Sequence, residues 1–505
     1  MKQVIRRTYH ATHSWIGICA GILLFIVSFS GIPAMFAAEL TFWQSPQLRG
    51  LEKVEQIQWQ PLLESSLEQG FEYDDLVILP DQEGGYAFFV QLGASVDAEA
   101  LTLRLQDGTQ VEAGHSDVVH LLEHLHTDLH LPQPWGRYLV GFAGMAMLLS
   151  IIAGVVIHTR WRQEAKQLRI GRSWRLLLSD HHKLMGLWVL PFAAILAFTG
   201  TILGLLGLIS PILALAKFDG DVAAATEAVL GPQAKVVGEP AQMTSLDDLY
   251  QIALDKQPDL TINFVRISGY GDQGAVARFA GGAEGRLTNL QSVTLSMVDG
   301  EVLHQADATA KGPFYRTFAA VTPLHYVLFG DVWLKLFYAV CTLALCALIL
   351  TGNMIWLEKR QRRGSHWLAG LTVGSCSGLL LATCVALGLT PWLSGAGEQQ
   401  EFWEEVVFWV VWGLATVAGV VLPAATQRFQ VATHLLAGGL TLWLGILGDG
   451  LLSNSWFWSA SMPVVIGIQI TFAITGTIML LFALRLLNTN VGQTRLTETA
   501  PPVST

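Results

Sequence analysis

Histidine is the residue type in this chain whose placement asks for a chemical reason. His13 opens the apolar run "HSWIGICAGILLFIVSFSG", and His182 opens "HKLMGLWVLPFAAILAFTG". Two further groups, "HLLEHLHTDLH" (His120, His124, His126, His130) and "TPLHYVLFG" (His325), stand ahead of two later apolar runs. Imidazole beside lipid is costly unless it has a partner. Paired neutral imidazoles suit axial ligation of haem iron. Gly17 and Gly186 follow His13 and His182 by one helical turn, and a missing side chain there makes room for a flat macrocycle; small residues serve direct helix packing equally well.

In the His-rich tract, His126 and His130 fall on one face if the tract is helical. His126 is followed by Pro132 as His325 is by Gly330, a comparable break before the next span, so His126 is the expected ligand and His130 its alternate. Two rival readings of the tract stay open: a zinc or copper site, and a solvated polar helix. For His13 and His182 the rival is an interfacial histidine bound to water and lipid. Asp180 is placed either to orient His182 or to cap a helix. Arg137 and Lys335 would pair with haem propionates or snorkel to the interface. His10, His158 and His181 read as water-bonded interfacial groups, and His434 and Asp449 have no evident partner.

The elements that must hold these residues are membrane helices. The chain is 505 residues long, 52% hydrophobic and only 14% charged, too apolar for an ordinary soluble protein. Crossing the bilayer takes about 20 helical residues. Spans are expected near Ile16–Phe36, Leu139–Ile157, Leu184–Ser210, Lys335–Trp356, Leu368–Leu389, Val406–Val421, Val431–Leu447 and Val464–Leu486. The first reads as a retained signal anchor. Basic residues gather at the amino terminus (Lys2, Arg6, Arg7), after the second span (Arg160, Arg162, Lys166, Arg169, Arg172, Arg175) and after the fourth (Lys359, Arg360, Arg362, Arg363). Acidic residues such as Asp74, Asp75, Asp81 and Glu83 crowd the first long loop. This asymmetry puts both termini in the cytoplasm and two large loops outside. It also places most of the net charge of −10 in those loops, with no signature of nucleic-acid binding. The five cysteines all fall within spans, so no disulfide framework is expected.

The two exported loops are built alike. In the second, Ser245 is an N-cap for "LDDLYQIALDK", and "LTINFVRI", "GAVARFAGG" and "QSVTLSMVDGEVL" alternate as strands. In the first, "WQPLLESSLEQGF" is the helix, "YAFFVQL" and "LTLRLQDGTQVEA" the strands, with "QDGT" a hairpin turn. The chain therefore reads as a repeat at 1–158 with a module at about 39–134, and a basic loop at 159–183. A second repeat follows at 184–357 with a module at about 217–322, then a basic loop at 358–367, four additional spans at 368–487 and a cytoplasmic tail at 488–505. Duplications of this type often place a shared site at the repeat interface.

The ordered motifs "HSWIGICAGILLFIVSFSG", "LHTDLHLP", "GRYLVG", "DHHKLMGLWVLPF", "LHYVLFGDVWLKL" and "LTGNMIWLEKR", together with the "VDGEVL" loop, resemble the PepSY-associated membrane-helix family over about the first 360 residues. The resemblance implies a polytopic α-helical membrane protein with about eight transmembrane helices and two small periplasmic α+β, PepSY-like modules, in a bacterial inner membrane. It also implies kinship with iron-regulated proteins and haem-binding ferric-siderophore reductases. The four C-terminal spans depart from the four-span pattern.

The expected function is a haem-binding electron-transfer protein that carries electrons towards the periplasm, with two haem b groups. His13 and His182 would hold the cytoplasmic haem iron, His126 and His325 the outer one. No strand, Gly-rich turn and helix unit occurs in the cytoplasmic loops, so electrons would come from quinol or a soluble cytoplasmic reductase. A periplasmic ferric complex as acceptor, and hence ferric reductase activity, follows from the resemblance alone. The alternative is a non-redox membrane sensor or scaffold acting through its modules. Transport is disfavoured because no span carries a charge at mid-depth.

Overall fold

The computed structural model describes residues 2–68, 75–81, 85–91, 101–111, 114–158, 161, 174–232, 234–235, 237–358, 366–458 and 463–498. Most of the basic residues on which the orientation rests, at 159–160, 162–172 and 359–363, lie outside that set, as do Asp74 and Glu83. The elements run α1 (Lys2–Met35), α2 (Ala37–Gln44), α3 (Trp59–Glu68), β1 (Asp75–Asp81), β2 (Tyr86–Gln91), β3 (Leu101–Arg104), α4 (Val118–Thr127), α5 (Trp135–Ile157) and α6 (Trp174–Lys217). They continue with α7 (Val222–Leu230), α8 (Leu246–Lys256), β4 (Leu260–Ser268), β5 (Val276–Ala283), β6 (Gln291–Ser296), β7 (Val302–Ala306), α9 (Pro313–Ala319) and α10 (Val321–Tyr326). The last five are α11 (Val332–Glu358), α12 (His366–Leu393), α13 (Gln400–Val421), α14 (Gln427–Leu452) and α15 (Pro463–Glu498).

Two compact units result, one from Met1–Pro46, Gly114–Thr201 and Lys335–Thr505, the other from Gln47–Ala113 and Ile202–Leu334. The first is the helical unit. Seven segments of the described chain are long and apolar enough to cross a membrane by length and composition. One of them, Trp367–Val421, holds α12 and α13, which fold back on each other around 394–399, so eight helices are available as spans. Small residues set the closest approaches among the last four. A Cβ on Gly370 would fall 1.9 Å from the Gly419 carbonyl oxygen, and one on Gly388 would fall 2.1 Å from that of Thr441. Only glycine permits such contact, the usual device where lipid offers no hydrophobic drive for helix association.

Two helices are longer than hydropathy suggests. The first apolar run starts near Ile16, yet α1 begins at Lys2, and α6 begins at Trp174 rather than near Leu184. His13 and His182 therefore lie inside helices and inside the candidate spans, not ahead of them. Asp180 is likewise buried within α6, which removes its N-cap reading.

The second unit contains both expected α+β modules, and they share one sheet. Its order is β3-β2-β1-β4-β5-β6-β7, all neighbours antiparallel, with β1 of the first module paired to β4 of the second (Leu76 opposite Ile267, Ile78 opposite Val265). Alternation puts Leu76, Ile78, Phe89, Leu103, Val265, Ile267, Phe279, Val293 and Leu295 on one face, where α3 (Trp59, Leu62, Leu63) and α8 (Leu246, Leu249, Ala253) cover them in a common core. The two helices cap each other. Asp247 on α8 accepts the Trp59 and Gln60 amides at 2.7 and 3.1 Å, and the Gln60 side-chain oxygen accepts the Leu246 amide at 2.9 Å. Each cap satisfies first-turn donors that would otherwise be orphaned. The strand "DLVILPD" was not among those expected; it is the one that joins the modules.

Candidate functional site

His13 on α1 and His182 on α6 come together in the helical unit, with ring centroids 6.1 Å apart and ring planes 70° to each other. His13 Nδ1 lies 2.9 Å from the Ser150 carbonyl oxygen on α5, and His182 Nδ1 lies 3.1 Å from that of Leu348 on α11. A carbonyl can only accept, so Nδ1 carries the proton in both rings and each Nε2 presents a lone pair. One helical turn beyond each carbonyl stands a glycine facing the ring. A Cβ on Gly154 would sit 3.5 Å from His13 Cε1, and one on Gly352 would sit 3.0 Å from His182 Cε1. The two halves of the pair are thus built by one rule in each repeat.

The same rule appears a third time. His126 on α4 donates from Nδ1 to the Val27 carbonyl oxygen of α1 at 2.8 Å, and Gly31, a turn further on, would bring a Cβ 2.9 Å from His126 Cε1. Packing strips water from this ring and pushes its pKa down, so it is neutral near pH 7. In the second repeat, Leu196 and Gly200 of "LAFTG" stand where Val27 and Gly31 of "VSFSG" stand in the first. His325 lies in the second unit, on α10, with its ring 5.8 Å from Tyr326.

His130 is not on a helical face with His126. α4 stops at Thr127 because Leu129 and His130 take left-handed backbone angles, and the His130 amide turns back to the Asp128 carboxylate. Its ring points elsewhere, with Nε2 2.8 Å from the Leu121 carbonyl oxygen and the ring edge-on to Trp409 at 5.2 Å. His124 is held by Asp128 at 2.9 Å and His120 by Asp117 at 3.0 Å, a bond that raises the His120 pKa. No group of three or more His, Cys, Asp or Glu side chains among the described residues is placed to hold a metal ion. The zinc or copper reading of the tract therefore lacks a ligand set there.

Of the remaining residues, Lys335 donates to Glu39 at 2.5 Å and lies over the Phe36 ring. Arg137 is exposed at the start of α5. Gly17 opens on free space, whereas Gly186 meets only Leu348 at ordinary contact distance. The ring-facing glycines are therefore Gly31, Gly154 and Gly352, which spacing from a histidine on the same helix could not identify. His434 and Asp449 both have partners: Ser377 Oγ at 2.8 Å and Gln469 Nε2 at 2.6 Å. No sequence pattern marks Glu404 on α13 as part of this arrangement. It is buried and accepts from Ser116 Oγ, the Asp117 amide and Gln400 Nε2, and so fixes the start of α4, the helix of His126.

The pair passes a simple fit test for haem. Two metal–nitrogen bonds of about 2 Å plus the depth of two imidazoles put ring centres roughly 6 Å apart across an iron. The observed 6.1 Å, the two free Nε2 lone pairs and the bare glycine surfaces suit a bis-imidazole clamp.

Comparison with known proteins places the chain in a family. A family model described as the PepSY-associated TM region matches residues 10–359. An uncharacterized protein of Pseudomonas aeruginosa is 28% identical over 382 residues, covering 71% of this chain and 93% of that protein.

Proposed function

The chain belongs to the PepSY-associated transmembrane family, and from that premise we propose that it is a haem-binding electron-transfer protein of a bacterial inner membrane. In this reading both termini are cytoplasmic and electrons pass towards the periplasm. The observation that carries the proposal is the His13–His182 pair, two imidazoles from equivalent helices held by equivalent carbonyls at the separation a shared iron requires. Haem held by these two imidazoles would supply one-electron transfer.

The chain's own residues keep the ligands fixed. Ser150 and Leu348 hold the two Nδ1 protons, so neither ring can flip its tautomer, and Gly154 and Gly352 let α5 and α11 approach the rings. His126, turned by Val27 and fitted against Gly31, would supply a ligand of a second haem, and His325 is proposed as a further haem ligand. On α1 the two sites are set by His13 and by Val27, about 21 Å apart along the axis at 1.5 Å per residue. That is less than the roughly 30 Å hydrocarbon thickness, a separation suited to relaying charge across it. Quinol or a soluble reductase would supply electrons, and a periplasmic ferric complex would take them.

The test is an absorption spectrum of the purified protein from haem-replete cells, before and after dithionite. Sharp reduced bands of low-spin haem are expected, with two haems per chain. A colourless preparation overturns the proposal and leaves a sensor or scaffold built on the continuous sheet.

A further inference from the structure

The sheet of the second unit has one face under α3 and α8; its other face carries a row of polar side chains with too few partners. Cross-strand register aligns Arg266 on β4, Arg278 on β5, Thr294 on β6 and His304 on β7, each directly opposite the next. Facing residues share a side of the sheet, with Cβ atoms about 5 Å apart. Two arginines thus stand opposite each other, an arrangement that is destabilising unless negative charge offsets it. Asp75 neutralises only one. It receives Arg266 Nε at 2.7 Å, a second bond from the same guanidinium, and Ser268 Oγ at 2.9 Å.

Arg278 has no acidic partner among the described residues. Its guanidinium lies 5.9 Å from the Phe264 ring, and its buried Nε makes no hydrogen bond. Beside it the hydroxyls of Ser292 and Thr294 are fully buried and unbonded, as is Nδ1 of His304. Lys311 adds positive charge around His304, and Glu227 acts on it with the opposite sign. Gly231, at the end of α7 with φ +86°, closes over this group. A Cβ there would fall 2.8 Å from His304 Nδ1 and 3.2 Å from Thr294 Oγ1.

We propose that this face of the sheet binds an oxyanion, a carboxylate or phosphate group, seated on Arg278 and bonded by the Thr294–His304 row. Buried donors without acceptors are rare in native proteins, and each asks for a physical reason. A planar guanidinium on an aromatic ring is suited to forked recognition of carboxylate or phosphate oxygens. The inference is independent of haem, because it concerns only residues of the sheet.

The test uses the full-length protein in neutral detergent, titrated with citrate and with inorganic phosphate, and separately mixed with phosphatidylglycerol or phosphatidylcholine vesicles. Calorimetry and thermal melting are read for wild type, Arg278→Gln and Thr294→Val. Citrate or phosphate should bind wild type and raise its melting temperature, Arg278→Gln should weaken binding by about tenfold or more, and Thr294→Val should weaken it by a smaller factor. Without anion, Arg278→Gln should melt no lower than wild type, because the change removes an unpaired charge. Binding to phosphatidylglycerol vesicles alone, lost in Arg278→Gln, would make a lipid phosphate the source of the oxyanion. The proposal is overturned if neither soluble anions nor anionic vesicles bind, if Arg278→Gln binds as wild type does, or if Arg278→Gln alone lowers the melting temperature.

Discussion

Substituting alanine at the three ring-facing glycines tests the ligand geometry in a graded way. A Cβ at position 31 would stand 2.9 Å from His126 Cε1, one at 352 would stand 3.0 Å from His182 Cε1, and one at 154 would stand 3.5 Å from His13 Cε1. Carbon atoms settle at about 3.5–4.0 Å. The His126 ring must then retreat by about 0.6 Å or more, the His182 ring by about 0.5 Å, and the His13 ring not at all. A retreat of that size pulls Nδ1 away from the carbonyl that orients the ring, and losing such an orienting bond weakens metal affinity by roughly 10- to 100-fold. Alanine also favours a helix over glycine by about 1 kcal/mol. Gly154→Ala should therefore keep full haem and melt slightly higher. Gly31→Ala should lose the outer haem while keeping the inner one, and Gly352→Ala should retain an inner haem with weakened affinity and shifted bands. Haem-to-protein ratio and the reduced-minus-oxidised spectrum report each case. Full, unshifted haem in Gly31→Ala, or haem loss in Gly154→Ala, would refute the argument.

Replacing His13 or His182 by alanine should remove the same haem, and the double variant should lose no more than either single one; unequal losses in haem content would separate the pair. His126→Ala should remove the other haem while His130→Ala leaves both, because His130 is engaged by Leu121 and Trp409. Burial holds the folded pKa of His126 below its ordinary 6.5. The unfolded chain then binds a proton that the folded chain refuses. The stability from His126 is complete above about pH 6.5 and falls as the pH drops below it, so acid melts of wild type should steepen there relative to His126→Gln. Asp247→Ala leaves the Trp59 and Gln60 amides without an acceptor and should destabilise the sheet unit by about 1–2 kcal/mol, read by hydrogen exchange at α3. Glu404→Ala strips the acceptor from Ser116, the Asp117 amide and Gln400 and should lower the melting temperature measurably, for a loss of about 1–3 kcal/mol. It should disturb the haem of His126 before that of His13.

Much of this architecture is legible in the residues. Apolar length locates the helices, alternation locates β2–β7, and Ser245 marks the start of α8 as its side chain accepts the Asp247 amide. What escapes is information that hydropathy does not hold. α1 and α6 start early because Arg6, Arg7 and His10, or Ser179 and Asp180, are compatible with helix even where they are not apolar. The end of α4 depends on two left-handed residues, Leu129 and His130, neither of which is the glycine that would announce such a turn. The join between β1 and β4 is an edge pairing between distant segments, for which no local pattern exists. The glycines against the imidazoles belong to helices other than the histidines' own. For Gly31 the one signal is the correspondence of "VSFSG" with "LAFTG", visible only once the repeat is aligned.

The repeat also explains where the four extra helices attach. A duplicated bundle has two equivalent outer corners, each needing something to hold a short ligand-bearing helix in place. In the helical unit α4 is pinned by α13 through Glu404 and Trp409, and α2 is packed by α15 through Trp43 against Phe472 at 5.2 Å. The added bundle thus grips the first repeat at both elements flanking the chain's departure into the sheet unit. A carboxylate buried among three donors is a strong tether, and it also creates asymmetry, because the tether acts on the helix of His126. The two repeats, built to one plan, then differ in how rigidly each holds its short helix.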